Sequence, residues 1–359
     1  MSKLKKVLIM AGGTGGHIFP GLAVAKKLSD NGVDVQWLGT LKGLESKLVK
    51  DAGYKINFIS ISGLRGKSIK NFIFAPFKLI SAIIQSIKII KNFKPDIVIG
   101  MGGFVSGPGG LAGFILRKKL IIHEQNAKPG LTNQVLAKLS DRVLQGFPNT
   151  FSENNFIVTT GNPLRQEVSD FISPEKRVKD NDKPHLLIFG GSLGARFINE
   201  LLPKAIAKIP EDIRPIVMHQ SGIVDYNKTL ELYAKYNLEA KVYPFIDEMD
   251  KAYSWADMVL CRSGALTISE LCAVGLGGIL VPYPYAVDDH QTANAKFMSD
   301  NKAAVLVKQS DLSLGMLVTL LKDLCGSRDK RLAMGKAAFQ LRRVAATEKV
   351  LNICKEVFH

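Results

Sequence analysis

The sequence predicts an α/β protein made of two doubly wound domains, each built on a parallel sheet. Short apolar runs alternate with longer segments of helical spacing along the chain, which is typical of parallel strands joined by helices. The pattern begins twice, because residues 8–16 and 187–194 each run from an apolar strand into a glycine-rich turn. A chain of 359 residues also has the length of two domains of ~100 to 200 residues.

In the first half, five short apolar runs predict strands, and the first leads into a segment of helical spacing at residues 23–28. The five runs are residues 5–10, 33–38, 96–100, 120–122 and 142–144. In the second half, a strand is again followed by a glycine turn and then by an amphipathic segment at residues 196–209. The strands predicted there are residues 186–189, 215–219, 242–245, 258–261 and 278–282.

The domain boundary is predicted beside residues 169–184, a polar and charged segment that contains two prolines. We therefore expect an N-terminal domain over residues 1–165 and a C-terminal domain over residues 166–335. The end of the chain has helical spacing, so residues 336–359 are expected to form a helix that packs back toward the N-terminal domain.

Composition and charge narrow the classes of protein that fit. With 46% hydrophobic and 22% charged residues, the chain is globular rather than disordered or fibrous. The net charge of +16 is uneven: residues 1–165 hold 23 basic and eight acidic side chains, a net +15, whereas residues 166–359 carry a net +1. A charge distribution of this kind attracts an anionic surface or a polyanion to the first half.

The spacing of the cysteines and the length of the apolar stretches bear on the cellular compartment of the protein. The four cysteines have no CxxC spacing, which argues against a zinc knot or a disulfide framework and favours a reducing compartment. The apolar run at residues 7–11 is too short for a signal-peptide core, so secretion is not expected. The most apolar stretch, residues 71–90, is interrupted by Pro76, Lys78 and Lys88 and is not expected to span a membrane.

The strongest local motif is the turn at residues 12–17, Gly-Gly-Thr-Gly-Gly-His, where a predicted strand meets a helix. Glycines there let backbone amides approach an anion at the helix N-terminus, which predicts a phosphate or pyrophosphate site. The turn lacks the dinucleotide-binding fingerprint, because Ile18 stands where a glycine is needed, and it lacks the lysine of a P-loop. A tight turn without a ligand is the alternative interpretation.

His17 is expected in the first turn of that helix. The positive end of the helix dipole disfavours the imidazolium there and keeps the ring neutral, which suits a general base. A hydrogen-bonding support for the turn is the alternative role. A second glycine cluster, residues 100–110, also follows a predicted strand, and two such turns in one domain suit an acceptor that carries a pyrophosphate.

Polar motifs follow three further strands. Residues 123–126, His-Glu-Gln-Asn, come at the carboxyl edge of the first sheet, where open α/β folds bind ligands. Residues 190–194 offer a third anion-binding turn, with the Ser192 hydroxyl as an extra donor. Residues 262–270 lead from a strand into a helix and end in Glu270, whose carboxylate can accept hydrogen bonds from both ribose hydroxyls. A capping role in the first helical turn is the alternative for Glu270.

Together, these motifs resemble the MurG family, the peripheral-membrane N-acetylglucosaminyltransferases that make lipid II in bacterial peptidoglycan synthesis. The matching motifs are residues 12–23, 102–108, 123–126, 190–192 and 265–270, within a resemblance that extends to about residue 294. The resemblance implies the GT-B fold, two Rossmann-like domains that face a central cleft. The N-terminal domain would bind the acceptor and the membrane, and the C-terminal domain would bind the UDP-sugar.

The implied reaction is transfer of N-acetylglucosamine from UDP-N-acetylglucosamine to the 4-hydroxyl of the muramoyl sugar in undecaprenyl-pyrophosphoryl-N-acetylmuramoyl-pentapeptide. It proceeds with inversion and requires no cofactor and no metal. Inversion in one displacement needs a base for the acceptor hydroxyl and a stabilised leaving UDP. His17 is the favoured base and Glu124 the second candidate. No metal site is assigned to the adjacent Asp288 and Asp289.

The resemblance also implies which residues bind the substrates. Ser192 and the amides near Leu266 would hold the donor phosphates. The Ile246 backbone would contact uracil, Glu270 the ribose and Gln291 the sugar. The expected donor contacts are Thr14, Gly15, Gly16, Asn126, Arg165, Ser192, Ile246, Arg262, Ala265, Leu266, Thr267, Ile268, Ser269, Glu270 and Gln291. The expected contacts of the acceptor pyrophosphate are Gly13, Gly102, Gly103 and Ser106.

Apolar residues interleaved with lysines over residues 67–94 predict peripheral binding to the anionic, cytoplasmic face of the cell membrane. Each cation near such a surface contributes ~1 kcal/mol. The residues expected at the membrane are Ile69, Phe72, Phe74, Phe77, Lys78, Ile80 and Ile84. A core helix with solvated lysines is the alternative. The resemblance leaves room for partners among the proteins of cell-wall synthesis, cell shape and cell division.

Two other functions fit part of the sequence. A UDP-N-acetylglucosamine 2-epimerase shares the two-domain architecture and the donor, and would act on the donor alone. A basic module that binds nucleic acid fits the charge. However, the lysines alternate with aliphatic residues, and the sequence has no stacking platform or nucleic-acid motif, so no nucleic-acid partner is expected.

Overall fold

The computed structural model describes residues 3–61, 75–152, 154–177, 183–191 and 194–359. The chain divides into two units, of which unit 1 is Met1–Arg165 with Val344–His359 and unit 2 is Gln166–Arg343. Each unit is built on one parallel sheet with helices packed against it, which confirms the predicted α/β class.

Seven strands form the sheet of unit 1. They are β1 (Lys6–Met10), β2 (Asp34–Gly39), β3 (Lys55–Phe58), β4 (Ile97–Gly100), β5 (Lys119–Glu124), β6 (Arg142–Gln145) and β7 (Ile157–Thr159). Their order across the sheet is β3-β2-β1-β4-β5-β6-β7, so the strand order reverses between β1 and β4. The helices described between the strands are α1 (Gly15–Asp30), α2 (Glu45–Asp51), α3 (Ala75–Phe93), α4 (Ser106–Ile115) and α5 (Leu131–Ala137).

Six strands form the sheet of unit 2, and their order is β10-β9-β8-β11-β12-β13. They are β8 (His185–Phe189), β9 (Ile216–Gln220), β10 (Lys241–Tyr243), β11 (Met258–Cys261), β12 (Gly278–Leu280) and β13 (Ala304–Leu306). The helices are α6 (Gln166–Ser169), α7 (Arg196–Ile206), α8 (Tyr226–Lys235), α9 (Met249–Trp255), α10 (Ala265–Val274), α11 (His290–Ser299), α12 (Leu314–Cys325) and α13 (Arg328–Gln340).

The last helix, α14 (Ala346–Phe358), returns to unit 1 and packs on α1. Its buried Val350 and Cys354 belong to the apolar cluster that also contains residues of β1 and α1. Helix α13 packs instead on α10 of unit 2. The predicted terminal helix over residues 336–359 is therefore two helices, separated by residues 341–345, and residues 336–343 belong to unit 2.

The ten strands predicted from apolar runs are all present, with ends shifted by a few residues, but β3, β7 and β13 were not predicted. These three strands lie at edges of the two sheets. An edge strand is covered less completely than a central one and does not need a continuous apolar run, which explains β3, whereas β7 (Ile-Val-Thr) and β13 (Ala-Val-Leu) are three-residue strands too short to stand out. The partly exposed run Lys55–Phe58 is an example, since it mixes lysine and asparagine with two apolar residues.

The order of the sheet in unit 1 brings three loops together at one edge. Strands β1, β4 and β5 are neighbours and run parallel, so the loops that follow them start side by side. The first two loops are joined where the Met101 amide donates to the Met10 carbonyl at 2.8 Å. A side chain on Gly103, at φ +79°, would overlap the Gly12 carbonyl, so only glycine allows these two turns to touch.

A buried carboxylate accepts a hydrogen bond from the first glycine turn and so helps to fix it. Glu45, at the start of α2, is fully buried and was not recognised from the sequence. Its Oε2 accepts from the Gly13 amide at 3.2 Å, and its Oε1 accepts from the Thr40 amide at 2.9 Å and the Thr40 hydroxyl at 2.7 Å. A carboxylate is tolerated inside a protein when donors surround it in this way.

We expect Glu45→Ala to lower the free energy of unfolding by about 3 kcal/mol, because it leaves the Gly13 and Thr40 amides without their acceptor. Glu45→Gln keeps one acceptor oxygen and should lose less than half as much. Urea unfolding of the three proteins provides the measurement. An alanine variant within about 0.5 kcal/mol of the parent would contradict this role.

Candidate active site

His17 lies where the three loops of unit 1 meet. Its backbone is the third residue of α1, in the first turn as predicted. Its ring packs against Gly102, where a Cβ would lie 2.6 Å from His17 Nδ1. The same Nδ1 is 2.8 Å from Oε1 of Gln125, which follows β5. His17 therefore belongs to α1, and its imidazole is fixed by contacts with Gly102 in the second loop and Gln125 in the third.

The second glycine turn is held together by Ser106. This side chain is fully buried, and its Oγ accepts from the Gly102 amide at 3.1 Å and lies 3.0 Å from the Met10 carbonyl, to which it can donate. The hydroxyl therefore lies inside the turn, which is a different role from the predicted contact with a pyrophosphate. The Gly13 amide likewise already donates to Glu45.

The Glu124 carboxylate organises the loop after β5. It is buried, and its two oxygens accept four hydrogen bonds. The donors are the Asn126 amide at 3.0 Å, the Asn126 side chain at 3.1 Å, the Gly130 amide at 3.1 Å and the Asn133 side chain at 2.8 Å. These four hydrogen bonds tie the carboxylate to the loop and fix the positions of Asn126 and Asn133 around it.

Three other predicted contacts of unit 1 lie at or near its surface. Thr14, just before α1, and Arg165, the last residue of the first segment of unit 1, are exposed. Asn126 is partly buried, and its carbonyl accepts from the Thr150 hydroxyl at 3.2 Å. The amides of Gly15 and Gly16 belong to the first turn of α1, where N–H groups lack partners within the helix.

In unit 2, the third glycine turn follows β8, and Ser192 lies outside the described residues. Gln220, at the end of the neighbouring β9, joins this turn to the loop after β10. Its Nε2 donates to the Gly191 carbonyl at 2.9 Å, and its Oε1 accepts from the Ile246 amide at 2.9 Å. Gln220 was not recognised from the sequence, because its two partners are distant from it along the chain.

Helix α10 begins directly after Gly264, in the segment expected to bind the donor. Within it, Ala265 and Ile268 are buried, so their side chains belong to the core and only their backbone can face a ligand. Leu266, Thr267 and Ser269 are partly buried. The first amides of this ten-residue helix supply the unpaired N–H groups and positive dipole end that favour an anion.

Glu270 lies in the second turn of α10, beyond the capping position considered from the sequence. It is partly buried, and its Oε2 accepts from the Tyr253 hydroxyl at 2.8 Å. The Tyr253 ring is fully buried and meets Phe189 edge to face, with centroids 6.2 Å apart. Tyr253 therefore fixes one oxygen of the carboxylate from inside the unit.

Arg262 faces the interior rather than a ligand surface. It is only 8% exposed, and burial lowers the pKa of its guanidinium. Its nitrogens donate to the carbonyls of Val281 and Pro282 and, at 2.6 Å, to Oε1 of Gln309. These contacts give Arg262 the role of fixing the loop after β12.

The side-chain amide of Gln291 has a defined orientation. Its Oε1 accepts from the Ser263 amide at 3.3 Å and from the Tyr283 amide at 2.9 Å. Because both partners are donors, the NH₂ group must point the other way. Nearby, Asp288 and Asp289 have left-handed backbone, at φ +52° and +55°. Among the residues that the structure describes, no cluster of three metal-ligating side chains is found.

Helix α3 carries the predicted membrane residues that can be described. Ile69, Phe72 and Phe74 lie outside the described residues. Ala82, Ser86, Ile90 and Phe93 form the buried face of the helix. The opposite face exposes Phe77 by 69%, Ile80 by 55% and Ile84 by 49%, and Lys78 is also exposed. Within the described ranges, none of the helices combines the length and apolarity needed to cross a membrane.

Family models and solved structures that are similar to this chain agree with the two-domain α/β fold. Residues 7–145 match the glycosyltransferase family 28 N-terminal domain, and residues 185–351 match the family 28 C-terminal domain. The solved structure of Acinetobacter baumannii MurG is similar to this chain with a TM-score of 0.85 and 41% identity, covering 98% of this chain and 99% of that one. A putative UDP-N-acetylglucosamine 2-epimerase from Listeria monocytogenes, at 14% identity and a TM-score of 0.68, shares the fold alone.

Sequence relatives match over their full length. A UDP-N-acetylglucosamine--N-acetylmuramyl-(pentapeptide) pyrophosphoryl-undecaprenol N-acetylglucosamine transferase from Marinobacter nauticus is 47% identical over 99% of this chain and 98% of its own length. A transferase of the same name from Coxiella burnetii is 45% identical over 99% of both chains. These matches confirm the resemblance, and the chain belongs to the MurG family of GT-B glycosyltransferases.

Proposed function

We propose that this protein transfers N-acetylglucosamine from UDP-N-acetylglucosamine to the 4-hydroxyl of the muramoyl sugar in undecaprenyl-pyrophosphoryl-N-acetylmuramoyl-pentapeptide. The product is the lipid-linked disaccharide of peptidoglycan synthesis. The observation that carries the proposal is the full-length match, at 47% identity, to a transferase whose name states this donor and acceptor. Unit 1 would serve the acceptor and unit 2 the UDP-sugar.

In unit 1, the position of His17 supports a role as general base. As the acceptor oxygen forms its bond to the anomeric carbon, its proton passes to the imidazole and the bond from that carbon to UDP breaks. Glu124 is less suited to this step, because four donors already surround its carboxylate. We therefore assign the base to His17 and the organisation of the loop after β5 to Glu124.

In unit 2, we assign the diphosphate of the donor to the first amides of α10, together with Ser192 as the resemblance implies. Glu270, fixed by Tyr253, would accept from the ribose hydroxyls. The Ile246 amide already donates to Gln220, so we assign the uracil contact to the Ile246 carbonyl. The outward NH₂ of Gln291 would donate to the sugar.

The decisive experiment incubates the protein with radiolabelled UDP-N-acetylglucosamine and a lipid-linked muramoyl-pentapeptide. We expect the label to move to the lipid, in EDTA as well as in its absence. A parallel incubation with the donor alone tests the epimerase alternative. Epimerised sugar in that sample, with no label on the lipid, would contradict the proposal.

We further propose that α3 binds the anionic, cytoplasmic face of the cell membrane peripherally. Phe77, Ile80 and Ile84 share one face of the helix, since they are separated by three and four residues. Lys88 and Lys91 continue the same face toward the C-terminus of α3 and are exposed. Apolar insertion beside cations is the arrangement by which a protein lies on anionic lipid.

Replacing Phe77 and Ile80 by serine should weaken binding to vesicles that contain anionic lipid by about tenfold or more, because each exposed side chain loses ~1 to 2 kcal/mol of burial in lipid. Transfer to a soluble, short-chain acceptor should be retained. Serine at Ile223 and Val224, which are exposed by 77% and 80% in unit 2, is the matched control. Equal weakening by both pairs in vesicle sedimentation would contradict a specific role for α3.

A further inference from the structure

Next to His17, a second histidine is held in one protonation state by the fold. His123 is fully buried, and its Nε2 is 3.0 Å from the Gly161 carbonyl. A carbonyl oxygen only accepts, so Nε2 must carry hydrogen. Burial lowers the pKa of His123 to about 4, against smaller opposing effects of the hydrogen bond to the Gly161 carbonyl and of the Glu124 charge, so the ring is neutral near pH 7. Its Nδ1 is therefore an acceptor.

The orientation of Gln125 follows from that of His123. The Gln125 Nε2 is 3.0 Å from His123 Nδ1 and 3.2 Å from the His123 carbonyl. Both partners are acceptors, so the NH₂ end of the amide must face His123. The reverse orientation would set the amide oxygen against a carbonyl oxygen and a ring lone pair. Oε1 of Gln125 is thus the atom that faces His17.

The last contact decides the tautomer of His17. Its Nδ1 is 2.8 Å from Gln125 Oε1, which can only accept, so Nδ1 must carry hydrogen. In a neutral imidazole, the other nitrogen then holds the lone pair. Thr160 Oγ1 also lies 3.3 Å from His123 Nε2, but its hydroxyl donates to the Gly161 carbonyl at 2.9 Å and so leaves the role of Nε2 as a donor unchanged. These contacts give each group from the Gly161 carbonyl to Gln125 one role, and in a neutral His17 the chain ends at an unprotonated Nε2.

We propose that Gln125 is a positioning residue that, with His123 behind it, fixes His17 as the Nδ1–H tautomer and so leaves Nε2 ready to take a proton. The contribution of Gln125 to sugar transfer rests on the proposed function of His17 as the general base. An isolated histidine favours the opposite tautomer, in which Nε2 carries hydrogen and cannot accept one. Gln125 reverses that preference without placing a negative charge beside the ring.

During transfer, the proton of the acceptor hydroxyl passes to His17 Nε2 as the new bond to the anomeric carbon forms. The electron pair of the breaking bond leaves with UDP. His17 becomes an imidazolium whose Nδ1–H still donates to Gln125 Oε1, so no other proton needs to move. Gln125 thus offers the imidazolium a hydrogen-bond acceptor that carries no negative charge.

The test reads the tautomer directly. Long-range ¹H–¹⁵N NMR of protein labelled at its six histidines distinguishes a nitrogen that carries hydrogen from one that does not, and the signals lost in His17→Ala assign that ring. We expect Nδ1–H in the unaltered protein and a shift toward Nε2–H in Gln125→Ala. We also expect kcat of Gln125→Ala to fall by about tenfold or more, with KM for UDP-N-acetylglucosamine within about twofold.

Gln145→Ala is the matched control. Gln145 is equally buried, lies opposite Glu124 on β6, and bonds Thr159 and Phe151 rather than a histidine. The Gln145→Ala variant should lose as much thermal stability as Gln125→Ala, but its His17 tautomer should be unchanged. Nε2–H on His17 in the unaltered protein, or an unchanged tautomer and kcat in Gln125→Ala, would overturn the inference. Nδ1–H in a protein that transfers no sugar would instead reject the proposed function and leave the tautomer assignment standing.

Discussion

The candidate site of unit 1 depends on the adjacency of strands β1, β4 and β5 in one parallel sheet. Because all three strands end at the same edge, their loops share a small space, and at Gly102 and Gly103 that space has no room for a side chain. Gly103 touches the Gly12 carbonyl, and the His17 ring fills the room that a side chain on Gly102 would take. The sheet order thus determines both where His17 lies and why glycines surround it.

Buried polar side chains, more than apolar packing, define the loops at this edge. Glu45 and Glu124 are enclosed by donors, and the Ser106 hydroxyl contacts Gly102 of its own turn and the Met10 carbonyl at the end of β1. A buried polar group costs stability unless it is satisfied, so each of these groups permits few loop conformations. The two units also orient a glutamine in the same way. The partners of Gln125 Nε2 only accept hydrogen bonds, so its amide oxygen faces away from them. The partners of Gln291 Oε1 only donate, so its NH₂ group faces away from them.

Much of the fold could be predicted from the sequence because the central strands are buried on both faces and leave continuous apolar runs. Ile97–Gly100 is such a strand, whereas Lys55–Phe58 at the sheet edge has no comparable run. The glycine turn before His17 was equally visible, since a motif of adjacent residues encodes it. Glu45 was not, because its partner Gly13 is 32 residues away and only the folded sheet brings them together. For the same reason, the sequence could not show that Ser106 faces the interior.

The most direct test of the account is the turnover of His17→Ala with UDP-N-acetylglucosamine and the lipid-linked acceptor, measured on protein whose thermal unfolding matches the parent. Removing a general base typically costs ~100-fold or more, and we expect a loss in kcat of that size. A loss of less than about tenfold in a correctly folded variant would show that the imidazole does not take the proton, and the catalytic role of the site in unit 1 would have to be abandoned.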